Sequence, residues 1–456
     1  MKSRDLKRIE ENRAENKGLP AGAGVPDLPA RNAPVGLDGH RGRNLKLVKI
    51  HNRAIVLRMI QQNEMISRKE ISLLTGLTQA TITMITNALL GLGLILETGK
   101  DTRSGASGRK QIFLSINREK HKIIAMNLGR SLVQGAVCDL AGNILHKSEK
   151  YLRLIQDNEL VIDRLEERVV AMIRELISEF DIDSASLLGI SISAPGPLNA
   201  AQGIMRGARR PDGIKSPAPF DWRDIHLKEA VQQEFGVNVF VDNDANISAL
   251  GESWFGAGVG VSNLVVYMIG IGTGAGVIID GMLYRGEDDV VSEIGHVTID
   301  FNGPQCRCGN IGCLELYSNF HNIIDRYAAR TGTISTPGRE LGNEEASARI
   351  AEIFRRAGEG EEAAREVIRA HGQVLSIGAV TLANTFSPEM IIVSANDLGN
   401  IDLSIMLAEI QEAVRGRAFS VIADKIKVVA STLGRDVTLY GGIALVLQDF
   451  FSNIAV

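Results

Sequence analysis

The sequence predicts an α/β body that carries a small winged helix-turn-helix on its N-terminal side. Three observations predict it. Between residues 44 and 115, a capped helix, a glycine turn and a second capped helix lead into two strand-like runs. From residue 120 onward, short apolar runs alternate with amphipathic helical stretches, the pattern of an α/β protein. Charge divides along the same line. Residues 1–120 hold 21 Lys and Arg against 11 Asp and Glu, although the whole chain of 456 residues carries a formal charge of −4. A basic head on an acidic body suggests a nucleic-acid reader carried by something else. A basic solvated tail is the plain alternative, yet residues 41–120 alone hold 14 basic and 5 acidic residues.

Length and composition set the outer limits. The chain is long enough for two or three domains, and 45% hydrophobic with 23% charged residues is a soluble globular profile. No apolar run reaches the ~18 residues that a membrane span needs. The opening MKSRDLKRIEENRAENKG has no apolar stretch and does not read as a secretory signal. Four cysteines do not make a disulfide framework, so a cytoplasmic location is expected.

The elements follow in order. Residues 1–42 are rich in Gly, Pro, Ala and charge and are expected to be a disordered tail, with room for a short helix at 3–15. Residues 43–117 form the expected head. Its first helix runs from Asn44 to Gln62, with Leu45, Val48, Ile50, Ile55, Leu57 and Ile60 at roughly helical spacing. Ser67-Arg-Lys-Glu70 is a capping box for a second helix that packs through Ile71 and Leu74 and stops at Gly76. Thr78 caps a third helix, Gln79–Leu90, with Ile82, Ile85 and Leu89 inward and Gln79, Ala80, Thr83 and Asn87 outward. LILETG and QIFLSI read as strands flanking a basic wing, DTRSGASGRK. In a helix-turn-helix the second helix enters the major groove. Arg68, Lys69, Arg103 and Arg109 would then take phosphates, and Gln79, Thr81 and Thr83 base edges. A plain three-helix packing module has similar periodicity; the coincident positive charge favours the double-stranded DNA reading.

In the body, the strand-like runs are KIIAMNL, LVQGAVCDL, LLGISIS, VNVFVD, NLVVYMIG, AGVIID, EMIIVSA and KIKVVAS. The helical stretches cover residues 158–180, 344–358, 365–386 and 401–416. Two lobes around a cleft are expected.

Three motifs carry chemistry. The first is His296 followed by Cys306-x-Cys308-x4-Cys313. Three thiolates and one imidazole, with Gly309 and Gly312 permitting tight turns, can close a tetrahedral zinc shell that leaves no place for a reactive water. Three unrelated thiols are the alternative. Cys138, in GAVCDL, reads as a small buried strand residue. The second motif is the loop Gly270, Gly272, Thr273, Gly274, Gly276, between two strand-like runs. Its backbone amides can approach a phosphate or a sugar hydroxyl, or the segment is simply a tight hairpin. A strand follows, so the dinucleotide fingerprint does not apply. The third is a polar set at strand ends: Asn243, Asp244, Glu252, Glu293 and Glu315. Carboxylates and an amide around a cleft suit sugar hydroxyls, and one Asp there could act as a general base. Singly, each reads first as a cap or a surface charge; together with the thiol cluster they point to a site. Ser193-Ala-Pro-Gly-Pro197 is a rigid turn after a strand.

Together these segments resemble the ROK family of repressors, open reading frames and sugar kinases, in its longer repressor branch. The resemblance covers roughly residues 43–450 and rests on SRKEISLLTGLTQATIT, SGRKQIFLSIN, ISAPGP, VDNDAN, GIGTGAGVIIDG and SEIGHVTID…CRCGNIGCLE, in family order. It implies an actin-like, hexokinase-type two-lobe ATPase body over residues 118–456. The small lobe is expected at about 118–245 plus the C-terminal helix, and the large lobe at about 246–435. By matching position, His296, Cys306, Cys308 and Cys313 look like zinc ligands. Asn243, Asp244, Glu293, His296 and Glu315 look like the sugar-binding set, with Asp244 where family kinases keep their general base. Two departures argue against a kinase. The family's Asp-x-Gly-Gly-Thr phosphate loop reads Asn127-Leu-Gly129-Arg130-Ser131 here, which loses a magnesium-holding carboxylate and crowds the approach. A late Gly-Gly pair near the adenosine is replaced by Ser394-Ala395. The resemblance therefore implies a cytoplasmic, sugar-responsive transcriptional regulator, most often a repressor, acting as a homodimer or homotetramer on an operator. The competing reading is an ATP-dependent sugar kinase that keeps Asp244 as its base.

Overall fold

The structure, a computed structural model, describes residues 45–100, 112–129, 132–150, 155–156, 159–160, 165–206, 224–287, 289–306, 308–332, 343–395, 398 and 401–454. The expected N-terminal tail, the wing residues Arg103 and Arg109, and Arg130 and Ser131 lie outside the described residues. From Val48 onward the chain forms one compact unit.

The head opens with α1 (Leu45–Gln62), β1 (Ile66–Ser67) and α2 (Arg68–Thr75). The capping box forms as the sequence predicts. Ser67 Oγ accepts from the Glu70 amide, and the Glu70 carboxylate accepts from the Ser67 amide at 2.8 Å. Gly76 ends α2 in the left-handed region, and Thr78 caps α3 (Gln79–Gly91). Ile71, Ile82, Ile85 and Leu89 are buried as expected. Leu74 is not: it is 64% exposed, because the short α2 turns only its Ile71 side to the core. Strands β2 (Ile95–Lys100) and β3 (Ile112–Ile116) pair antiparallel, and β1 joins β3, giving a three-stranded sheet against the helices.

The body's first sheet uses β4 (Lys122–Leu128), β5 (Val133–Asp139) and β6 (Ile144–Lys150). A two-stranded ribbon of β7 (Ile155–Gln156) and β8 (Glu159–Leu160) precedes α4 (Leu165–Glu179). The helix expected from residue 158 thus begins later, after a short strand. Then come β9 (Leu187–Ala194), the ribbon β10 (Leu198–Asn199) and β11 (Ile204–Met205), α5 (Leu227–Phe235) and β12 (Val239–Asn243). The sheet order is β12-β9-β4-β5-β6, with the first three strands parallel. Strand β6 was not among the expected runs; its alternately half-buried and exposed residues mark it as a polar edge strand.

Helix α6 (Asp244–Phe255) leads to the second sheet: β13 (Leu264–Met268), β14 (Gly274–Ile279) and β15 (Met282–Leu283). Helices α7 (Leu314–Ser318), α8 (His321–Thr331), α9 (Asn343–Gly358) and α10 (Glu362–Phe386) follow, then β16 (Met390–Ser394), α11 (Ser404–Arg417), α12 (Ser420–Ala423), β17 (Lys427–Ala430) and α13 (Val437–Asn453). The order is β15-β14-β13-β16-β17, again with three parallel strands and two antiparallel ones. The two sheets therefore repeat one plan.

Helices α6 and α13 cross at very short range. A Cβ at Gly441 would collide with the Ile247 carbonyl, and one at Gly251 would collide with the Val437 carbonyl. One apolar cluster joins the head core (Leu57, Ile60, Leu89) to α6, α13 and residues of both sheets. Separate clusters cover the remaining faces: α4 and α5 on the first sheet, and α8 to α11 on the second. No described helix is long and apolar enough to cross a membrane.

Candidate functional site

The parallel strands of the first sheet end in a row of polar residues. Register places Asp242, Ser193, Asn127, Gln134 and Glu149 side by side across all five strands. Asn127 donates to Gln134 Oε1 at 3.1 Å, and Gln134 donates to Glu149 at 2.9 Å. The carboxyl ends of parallel strands are where ligands bind in open α/β sheets. At this position the chain has a neutral, buried amide locked into a side-chain ladder. Ser394 and Ala395, at the matching end of β16, are also buried.

Asn243 and Asp244 sit where β12 turns into α6. Asn243 is the N-cap: its Oδ1 accepts from the Ala245 amide at 2.9 Å, and its Nδ2 donates to the Gly196 carbonyl at 3.3 Å. Asp244 opens the helix, where the N-terminal dipole favours a carboxylate. The SAPGP turn thus meets the VDNDAN turn directly.

The glycine loop joins β13 to β14 as a hairpin, and α7 ties it down. The Thr273 amide donates to Glu315 Oε2 at 3.2 Å, and the Thr273 hydroxyl shares a buried 2.7 Å hydrogen bond with Ser318. Asn319 donates to the Ile271 carbonyl at 2.8 Å, and the Phe320 amide donates to the Gly270 carbonyl at 3.0 Å. A Cβ at Gly295 would collide with the Thr273 carbonyl, so the turn bearing Glu293 and His296 lies against the same residue. On the other side, Gly274 meets Ala245 of α6. Thr273 is therefore the hub between Glu315, the Glu293–His296 turn and the start of α6. The sequence reads Thr273 only as part of a loop whose backbone amides meet a phosphate or a sugar hydroxyl, or that forms a tight hairpin; its side chain's role comes from the fold.

Glu252 parts from this set. It is fully buried two turns further along α6, where it accepts from the Ala257 amide at 2.8 Å and from Ser431. Burial raises its pKa, and these donors oppose the shift. It ties α6 to the second sheet. An ion pair that the sequence did not reveal lies under Asn243: the fully buried Asp242 meets Arg285 at 2.5 Å. Asp289, 3.9 Å from Arg285, accepts from the Ala200 amide at 3.1 Å. An acidic residue inside an apolar strand was the only available signal.

His296, Cys306, Cys308 and Cys313 come together, with one ligand atom from each within 4.8 Å of all the others. Cys306 Sγ lies 3.7 Å from His296 Nδ1, and Cys308 Sγ lies 3.6 Å from Cys313 Sγ. Metal–sulfur bonds of about 2.3 Å would place sulfurs roughly 3.8 Å apart in a tetrahedral shell, so the donor set fits a metal ion. Short bridges hold the loop: Thr298 pairs with Cys313, and Gln305 pairs with Ile311. Gly312 has φ +60°, and a Cβ there would strike the Asp300 carbonyl, so the residue before Cys313 must be glycine. Asn310 donates to the His296 carbonyl at 3.0 Å and to Thr298 at 2.9 Å. Burial raises the Cys306 and Cys313 thiols, the latter to about 12. A cation among them is what would hold them as thiolates. Cys313 caps α7, so the loop's geometry also sets where Glu315 stands two residues later. Cys138 is buried in β5, apart from the cluster, and burial raises its thiol strongly.

In the head, Gln79 and Thr83 are exposed on α3, and Lys69 is exposed on α2. Thr81 is half-buried, and its hydroxyl lies 2.9 Å from that of Thr78. Arg68 is engaged inside the head, donating to Thr86 at 2.9 Å and pairing with Glu97 at 3.0 Å.

The ROK family matches residues 123–449 of this sequence. The chain belongs to the ROK family. Among ROK relatives, the xylose repressor of Caldicellulosiruptor bescii is 30% identical over 90% of this chain and 98% of that protein. The DNA-binding transcriptional dual regulator NagC of Escherichia coli K12 is 28% identical over 90% and 96%. Of solved ROK structures, a transcriptional regulator homologous to the E. coli MLC protein aligns with a TM-score of 0.70 and 28% identity, covering 89% of this chain and 97% of that one. The ROK glucokinase of Streptomyces griseus, in complex with glucose and AMPPNP, aligns at 0.55 with 25% identity, covering 71% and 98%. The fold is thus the actin-like ROK body behind an N-terminal head.

Proposed function

We propose that the chain is a sugar-responsive transcriptional repressor. The head, residues 43–117, binds an operator, and the body, residues 118–456, binds a sugar or sugar derivative. One observation carries the reading: a capped helix-turn-helix with an exposed α3 face is joined to a body that keeps Asn243, Asp244, Glu293, His296 and Glu315 but has an amide at Asn127. An ATP-dependent kinase wants a carboxylate near its magnesium at that strand end, and Asn127 supplies none. Thr273 spends its amide on Glu315, which favours a loop that holds the sugar site over one that cradles phosphate. Likeness over nine-tenths of the chain to a xylose repressor supports the same reading.

Gln79, Thr81 and Thr83 read base edges, and Lys69, Arg103 and Arg109 take phosphates. Arg68 braces the head through Thr86 and Glu97 and reaches phosphate from there. Two heads of a homodimer enter successive major grooves, about 34 Å apart, on a palindromic operator. Zinc fills the Cys3His shell and holds the loop that presents Glu293 and Glu315; a full shell leaves it structural. A sugar that prefers the arrangement incompatible with the operator spacing releases the DNA.

Fluorescence anisotropy with duplexes from upstream of the chain's own gene and its neighbours tests the reading, with D-xylose, D-glucose and N-acetylglucosamine as effectors. Sequence-selective binding, weakened by one sugar, is expected. Glu315→Ala should abolish the sugar effect and leave operator binding intact. Absence of selective binding under every condition refutes the proposal. Asp244-dependent phosphorylation of a sugar by ATP would favour the kinase instead.

A further inference from the structure

We propose that α6 carries the effector signal to the DNA-binding head, and that Arg58 and Trp254 form the contact that delivers it. The inference rests on the proposed function and deepens it. Both ends of α6 are already placed. Asn243 and Asp244 stand at its start. Twelve residues make a rod of about 18 Å, and Trp254 sits near its far end.

The rod is held on every side, so its first turn cannot shift alone. A Cβ at Gly276 of β14 would collide with the Ala245 carbonyl, which leaves no space between the glycine hairpin and the first turn of α6. That hairpin bears Thr273, which is bonded to Glu315. Gly251 and Gly441 bring α6 into backbone contact with α13, and Glu252 ties it to Ser431 after β17. Close-packed elements of this kind move as bodies and do not deform gradually.

At the far end, α1 of the head grips the same pair of helices. The Arg58 guanidinium lies 4.4 Å from the centroid of the Trp254 ring. Arg53 donates to the Ile454 carbonyl just beyond α13, and Gln61 donates to the Ala141 carbonyl at 2.8 Å. Trp254 is itself packed against Phe255 and Phe451, so the ring cannot turn to follow the arginine independently. A cation over an aromatic face is sensitive to offset. A displacement of the α6 end must therefore reposition α1 or break the contact. Such a contact alone sets a sugar-dependent change in operator affinity of about twofold to thirtyfold.

The test uses the full chain, with anisotropy on its operator duplex and calorimetry for D-xylose, D-glucose and N-acetylglucosamine. Arg58→Met keeps the stem and removes the cation. It should bind sugar within twofold of wild type and keep its sugar-free operator affinity. Its operator affinities with and without sugar should then differ by less than about twofold, below the range the contact sets. Arg58→Lys should restore part of the response. Trp254→Leu should behave as Arg58→Met; should it fail to fold, the arginine pair still decides. A wild-type response in Arg58→Met overturns the proposal, as does loss of operator binding in that variant, which would make the contact purely structural. A wild-type protein that binds its operator but ignores every sugar would instead overturn the proposed function, and this inference with it.

Discussion

Thr273→Val isolates the hub of the candidate site. The substitution keeps size and branching and removes one hydroxyl. In the structure that hydroxyl forms a single 2.7 Å bond to Ser318, which is fully buried. Leaving a buried polar partner unsatisfied costs about 1–3 kcal/mol. Ser318 closes α7, so its hydroxyl can turn toward the Leu314 carbonyl one turn back and recover part of the loss. The low end, about 1 kcal/mol, is therefore expected. If the loosened α7 transmits that loss to Glu315, sugar affinity falls about fivefold. Calorimetric titration with the responding sugar measures the affinity, and a melting curve measures stability, with a Tm drop of about 2 °C. Thr273→Ser should restore both. Sugar affinity within twofold of wild type in Thr273→Val would refute the hub role. So would a Thr273→Ser variant as weak as the valine, which would show that the methyl and not the hydroxyl matters.

Cys308→Ser should abolish stoichiometric zinc in metal analysis while Cys138→Ser retains it, since Cys308 belongs to the cluster and Cys138 does not. His371 is fully buried on α10 against Phe320, with its Nε2 3.0 Å from the Ser318 carbonyl. Burial, aided by Arg326, lowers its pKa from 6.5 to about 3. The unfolded chain then binds the extra proton first. Stability is fully present above about 6.5 and falls as pH drops toward 3, by at most ~1.4 kcal/mol per pH unit from this group. His371→Gln should flatten that acid limb in a denaturation series, and an unchanged slope would contradict the assignment. Ser67→Ala removes the capping box of α2 and should cost about 1 kcal/mol, read as a lower denaturation midpoint for the head and weaker operator binding.

Local chemistry fixed much of the head. The spacing Ser67 to Glu70, the stop at Gly76 and the cap at Thr78 each depend on residues within one turn, and each forms as read. The body's strands were legible because buried parallel strands are continuous apolar runs. Strand β6 and helices α5, α6 and α8 were not legible as elements, and α13 was expected only through the resemblance, as the C-terminal helix of the small lobe. The first is a polar edge strand, and α6 and α13 are buried on most sides, so they lack amphipathic contrast. The metal cluster was readable because Cys306, Cys308 and Cys313 lie close in sequence and glycines permit the turns.

The sequence by itself determined the local motifs: the caps, the glycine turns, the thiol cluster and the charge division between head and body. Tertiary structure decided which polar groups serve the site and which serve the frame. Glu252 and Asp244 lie on one helix, yet one is buried beneath Ser431 and the other opens the helix beside the SAPGP turn. Thr273 became a hub only because α7, the His296 turn and α6 close on it from distant parts of the chain. Arg58 reaches Trp254 across 196 positions of sequence. Such pairings depend on the packing of whole layers, and no local pattern of residues encodes them.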